Sequence, residues 1–149
     1  MTRLEYLSRL LPIMYPSFYS LYTSKNEELI FLDNGDRLPS QIGINGLSIA
    51  AFINEDKTQC EAVTNHFHLF EKVGEKGCSD AIQVGTAIAK NLLRILLQTY
   101  PTKKFVVYLE VNEKDSTIVR FHQLWDNEPP YLDILEFNLT GLHLFEFKA

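Results

Sequence analysis

Apolar residues recur at helical spacing between Ser79 and Tyr100. Ile82, Ile88, Ala89, Leu92, Leu93, Ile95 and Leu96 form one broad stripe, while Gln83, Lys90, Asn91, Arg94 and Gln98 fall mainly on the other side. Asp80 and Gln83 have capping-box spacing and Pro101 supplies a stop, so the pattern predicts a helix from about Ser79 to Tyr100. Gly85 weakens a helix interior, which points to close packing against a sheet at that turn. The period then changes to two. Phe105, Val107, Leu109 and Val111 alternate with Val106, Tyr108 and Glu110, and Thr117, Val119, Phe121 and Trp125 alternate with Ile118, Arg120, His122 and Leu124. The polar link Asn112 to Ser116 reads as a hairpin loop between two strands, Lys104 to Asn112 and Thr117 to Trp125. Pro129 and Pro130 cannot donate to a ladder and break the pairing; two more strands are expected at Tyr131 to Phe137 and Leu142 to Phe147.

The N-terminal half is less regular. Leu4, Leu7, Leu10 and Leu11 interleaved with Arg3, Glu5 and Arg9 predict an amphipathic helix near Arg3 to Met14, with Pro12 expected to end it early. Glu28 to Leu32 reads as a strand leaving through an Asn34-Gly35 turn, and Gly46 to Ile53 as another strand. Residues 57–73 support two readings. Cys60, Val63, Phe67 and Phe70 have helical spacing with Gly74 as an end cap, whereas Val63, Phe67 and Leu69 also suit a strand, and the balance favours strand over 62–70. Together these elements predict a single α+β domain, 1–149, in which an antiparallel sheet packs against one long central helix, with a short N-terminal helix beside it.

Composition narrows the function. The chain has 149 residues, 46% of them hydrophobic, enough to build a core and to exclude intrinsic disorder. Its net charge of −5 disfavours nucleic-acid binding, which draws on Lys and Arg. The charge is concentrated: Asp115, Asp126, Glu128, Asp133, Glu136 and Glu146 face only Arg120 and Lys148 after residue 114. Such a cluster is either a solvated face or a surface that steers a basic partner. No stretch approaches the length of an apolar membrane span, and the opening residues read as an amphipathic helix rather than a leader. The expectation is a reduced, cytoplasmic protein whose Cys60 and Cys78 are free thiols.

Three constellations bear on chemistry. His66 and His68 share a face if their segment is a strand, and Cys60, Cys78, His122 or His143 would have to complete a metal site; no paired-ligand motif accompanies them, so neither metal nor cofactor is expected. Arg120 and His122 would project from one strand face as anion holder and proton carrier, with Asp126 or Glu128 orienting the imidazole, but no nucleophile elbow or phosphate loop joins them. Trp125 and Tyr131 flank the diproline loop with Asp126 and Glu128 at its tip, an aromatic and acidic combination suited to protein recognition.

The helix ending Leu96-Leu97-Gln98-Thr99-Tyr100-Pro101, the strand Phe105 to Leu109 and the run Val119 to Gln123 followed by Glu128-Pro129-Pro130-Tyr131 resemble immunity proteins of bacterial toxin systems, including contact-dependent growth inhibition. The resemblance covers about residues 80–135. It implies a small, acidic, non-enzymatic protein that occludes the active site of a cognate toxin, often a basic nuclease. The expected contact residues, chosen from the acidic and aromatic pattern, are Trp125, Asp126, Glu128, Tyr131, Asp133 and Glu136. The alternatives are a small hydrolase or nuclease using Arg120 and His122, and an acidic secretion chaperone or adaptor.

Overall fold

The computed structural model describes residues 2–33, 43–44, 47–48, 53–134 and 141–149. Helix α1 spans Arg3–Met14 and opens on a reciprocal cap: the Thr2 hydroxyl accepts from Glu5 N (3.1 Å), and Thr2 N donates to the Glu5 carboxylate (2.7 Å). Pro12 does not end it early. It sits in the last turn, where few helical bonds remain to be lost, and burial of Leu10 and Ile13 holds that turn against the core. Strands β1 (Ser17–Tyr22) and β2 (Glu28–Asp33) form an antiparallel hairpin whose turn places Asn26 at φ 62°. The sequence pattern does not mark β1, because Phe18-Tyr19-Ser20-Leu21-Tyr22 lacks alternation. Strands β3 (Gly43–Ile44) and β4 (Leu47–Ser48) pair with each other. Of the strand expected at Gly46 to Ile53, Leu47–Ser48 is strand and Ile53 begins a turn, while 46 and 49–52 lie outside the described residues, as does the Asn34-Gly35 turn.

The ambiguous stretch divides. Residues Lys57–Thr64 form helix α2 and His66–Phe70 form strand β5, so the strand reading holds only from residue 66. Asp56 decides the helix by accepting from Gln59 N (3.0 Å) at its N-terminus. Helix α3 spans Gly74–Thr99 and begins five residues ahead of the expected start. Its buried stripe is Cys78, Ala81, Gly85, Ala89, Leu92 and Leu96, so packing extends the helix past the capping signal. Asp80 is therefore an exposed interior residue and caps nothing; Gly74, at φ +71°, opens this helix rather than closing the preceding one.

Strands β6 (Phe105–Asn112), β7 (Thr117–Gln123) and β8 (Leu142–Lys148) join β5 in an antiparallel sheet ordered β5-β7-β6-β8. The strand expected from Tyr131 is absent over 131–134: after the two prolines Leu132 turns inward, and its N donates to the Tyr108 hydroxyl (3.4 Å). Residues 135–137 lie outside the described residues.

The fold is thus α+β, with an antiparallel sheet carrying α3 on one face. Phe105, Val107, Leu109 and Val111 of β6 meet the α3 stripe, together with Val119 and Phe121 of β7. Val106 and Tyr108 point to the opposite face and pack with Leu132 and Leu124. β2 is also buried on both sides, with Ile30 and Leu32 toward the α3 layer and Leu29 and Phe31 toward Cys60 and Ile53. No helix among the described residues is long and apolar enough to cross a membrane.

Gly85 lies where α3 crosses β6: a Cβ there would stand 2.6 Å from Leu109 Cδ1, and Leu109 is fully buried. The close approach read from the sequence is present. Gly85→Leu should lower stability by about 1–3 kcal/mol through overpacking, despite leucine's better helix propensity; a urea midpoint equal to that of the unchanged protein would refute this account.

Candidate functional site

The polar centre of the molecule is Glu61 on α2, whose side chain is fully buried. One oxygen accepts from Ile30 N (2.9 Å) and Gln123 Nε2 (2.9 Å), the other from Gln123 N (3.0 Å) and Trp125 Nε1 (2.7 Å). One turn later Asn65 accepts from Leu32 N (2.9 Å) and donates to Ile30 O (2.8 Å), while Gln123 Nε2 also reaches Glu28 O (2.8 Å). Side chains thereby satisfy the edge of β2 that faces away from β1, a requirement that buried backbone imposes. Burial pushes the Glu61 carboxyl up to about 7, and the four donors oppose that rise.

Trp125 is positioned by this carboxylate and walls a cleft of ≈ 610 Å³ formed by residues 23–27, 53–57 and 125–128. The Lys57 ammonium lies 4.2 Å from the Trp125 ring centre and pairs with Glu27 and with Glu128 (3.5 Å). Burial works against the charge on Lys57, but Glu27 and Glu128 outweigh it and hold its pKa above the ordinary value. Glu128 also accepts from Thr58 N (2.9 Å) and Thr58 Oγ1 (2.8 Å) at the start of α2, where free amides and the helix dipole favour an anion. Loop 125–128 is therefore fixed at both ends, by Glu61 below and by the α2 N-terminus beside it. Asp126 and Glu55 remain exposed on the rim.

Five of the six expected contact residues lie among the described residues. Trp125, Asp126 and Glu128 meet at the cleft, but Trp125 and Glu128 are tied to α2. Tyr131 lies against Arg120, whose guanidinium carbon is 5.1 Å from the ring centre. Asp133 is exposed, and Glu136 lies outside the described residues. Lys57, Glu27 and Glu55 complete the cleft and were not signalled by sequence, because their contacts join segments distant along the chain. Glu61 was hidden for a different reason: a carboxylate between Cys60 and Ala62 breaks the apolar pattern that would mark a buried face.

Arg120 and His122, the two residues of the catalytic alternative, both make internal contacts. Arg120 Nε donates to Glu110 (3.0 Å), and Nη1 donates to Ala62 O (2.7 Å), closing the C-terminal end of α2. His122 is 1% exposed; its Nδ1 donates to Gln123 O (2.6 Å), its Nε2 accepts from Tyr131 N (3.2 Å), and the Tyr108 hydroxyl is 3.1 Å away. Burial lowers its pKa, so the neutral ring persists. His66 and His68 do share a face, with ring centres 5.3 Å apart. The proposed completing ligands are elsewhere: Cys60 is in the apolar layer under α2, and Cys78 and His143 lie beside Glu113. Both cysteines are free.

Comparison with known proteins found no matching family model, no matching curated protein and no matching solved structure.

Three substitutions separate the internally bonded carboxylates of Glu61 and Glu128 from the exposed one of Asp126. In Glu61→Gln, either orientation of the amide turns an NH2 toward two donors, which should cost on the order of 3 kcal/mol at pH 7. Because the folded pKa is raised, the protonation contribution of Glu61 is complete below about 4.5 and lost as pH climbs to about 7. Urea midpoints across that window should therefore fall less steeply with pH in the variant, and parallel curves would disprove the assignment. Glu128→Ala should destabilise by about 1–2 kcal/mol through loss of the α2 cap. Asp126→Ala should change stability by no more than about 0.5 kcal/mol, measured by the same unfolding series.

Proposed function

We propose that this chain is a protein-binding inhibitor of the toxin-immunity kind, which presents the cleft around Trp125 to a basic partner. The observation that carries the reading is the pair of exposed carboxylates, Glu55 and Asp126, on the rim of a cleft whose floor is held by buried hydrogen bonds. A rigid rim lowers the ordering cost of association, and acidic groups at the edge of an interface steer a cationic partner and fix its orientation. An indole half-buried beside them offers apolar contact area at the centre. The resemblance over residues 80–135 supports the same reading, since Glu128-Pro129-Pro130-Tyr131 continues the loop that walls the cleft. Occlusion of a toxin's active site needs no catalytic group from the inhibitor, which agrees with the internal engagement of Arg120 and His122.

The test measures binding of the protein to any toxin encoded beside its gene. Glu55→Lys combined with Asp126→Lys should weaken binding at least about tenfold, or about 1.4 kcal/mol, and flatten its dependence on salt. Unchanged affinity and unchanged salt dependence in a folded double variant would overturn the proposal.

A further inference from the structure

The face of the sheet that meets α3 is apolar along most of its length, and its register shows where that character ends. On β6 the inward row runs Phe105, Val107, Leu109, Val111 and reaches Glu113 in the turn just beyond. On β8 the neighbouring row runs Phe147, Phe145, His143, with His143 opposite Val111. The buried stripe of α3 begins at Cys78. Three apolar rows from three separate parts of the chain thus stop at the same corner, on a carboxylate, an imidazole and a thiol.

Their donor atoms lie within 4.8 Å of one another. His143 Nε2 and Glu113 Oε1 are 3.3 Å apart. Bonds of about 2.0–2.3 Å to one tetrahedral ion place donors about 3.3–3.8 Å apart, so this edge already has the right length, and the thiol lies within 4.8 Å of both its atoms. The backbone braces the corner, since Glu113 N donates to Gly141 O (2.8 Å), while the Cys78 thiol itself donates to Gly74 O (3.2 Å) in the first turn of α3, a bond it gives up on becoming a ligand. Gly141, at φ +84°, lets the chain pass under Glu113, for a Cβ there would meet Glu113 Oε2 at 3.1 Å.

We propose that Cys78, Glu113 and His143 form a binding site for a zinc-like divalent ion, with water as fourth ligand. A thiolate and an imidazole select zinc over magnesium or calcium, and the two anionic ligands balance the ion's charge. His143 and Glu113 are part-exposed, which gives the ion a path from solvent. The ion would tie the start of α3 to the β6–β7 turn and to β8.

Cobalt is the probe, added to the reduced full-length protein. One equivalent should bind, with a thiolate-to-cobalt charge-transfer band in the near ultraviolet and the visible bands of a tetrahedral site; zinc should displace it. Cys78→Ser should abolish the charge-transfer band, and Glu113→Gln and His143→Ala should each weaken binding at least about tenfold, since removing a ligand costs no less than removing one of the outer-shell groups that orient it. His143 is half-exposed, so its variant tests the site even if the change at buried Cys78 disturbs folding. Cys60→Ser should retain the band. Failure to bind cobalt at micromolar concentration, a band that survives in folded Cys78→Ser, or affinity unchanged in both Glu113→Gln and His143→Ala would overturn the proposal.

Discussion

The buried carboxylate of Glu61 is the constraint on which the arrangement of the other parts depends. A carboxylate removed from water must find donors or be protonated, and here it draws them from β2, from the end of β7 and from the indole of Trp125. These donors lie 31 to 64 positions from Glu61 along the chain. A short helix with a modest apolar face is thereby fixed between the β1–β2 hairpin and the four-stranded sheet. Arg120 fixes its other end through Ala62 O, and Glu128 and Asp56 complete its first turn. Most polar groups around α2 are satisfied by partners remote in sequence, so this helix belongs to the tertiary structure more than to its own propensity.

That distinction explains which parts were legible in the sequence. The stripe of α3 and the alternation of β6 and β7 arise from one repeated requirement, an apolar face toward one layer, and they can be read without knowing what covers them. Gly85 was legible for the same reason, as an exception needing a neighbour. The α3 start was misplaced because Asp80 carries a capping signal while Cys78 and Ala81 carry burial, and burial prevailed. Around α2 the logic reverses. Glu61 and Asn65 occupy buried positions with polar side chains, so the features that organise the region are those that erase its pattern. The candidate site suffered most, since the cleft joins residues 23–27, 53–57 and 125–128, and no local spacing encodes that meeting.

The acidic character of the C-terminal quarter also takes a different meaning in three dimensions. Glu128 is committed to Lys57 and the α2 N-terminus, and Glu146 stands 3.4 Å from Lys148. Asp115 accepts from Ser116 N within the β6–β7 turn. Glu128 is thus paired with a base from outside the C-terminal quarter, which a count along that quarter leaves out. Beside Trp125 the exposed carboxylates of the cleft are Asp126 and Glu55, the latter from the other half of the sequence.

The outward edge of β2 is clothed by side chains of α2 and by Gln123 rather than by another strand. Amide and carboxylate groups there occupy the positions an incoming chain would use, so the apolar segment Leu29-Ile30-Phe31-Leu32 cannot template intermolecular pairing while α2 is docked. The protection is conditional. An excursion that lifts α2 without unfolding the hairpin would bare a short, uncharged, β-prone edge. Protection of this edge therefore lasts only as long as one eight-residue helix stays docked on it.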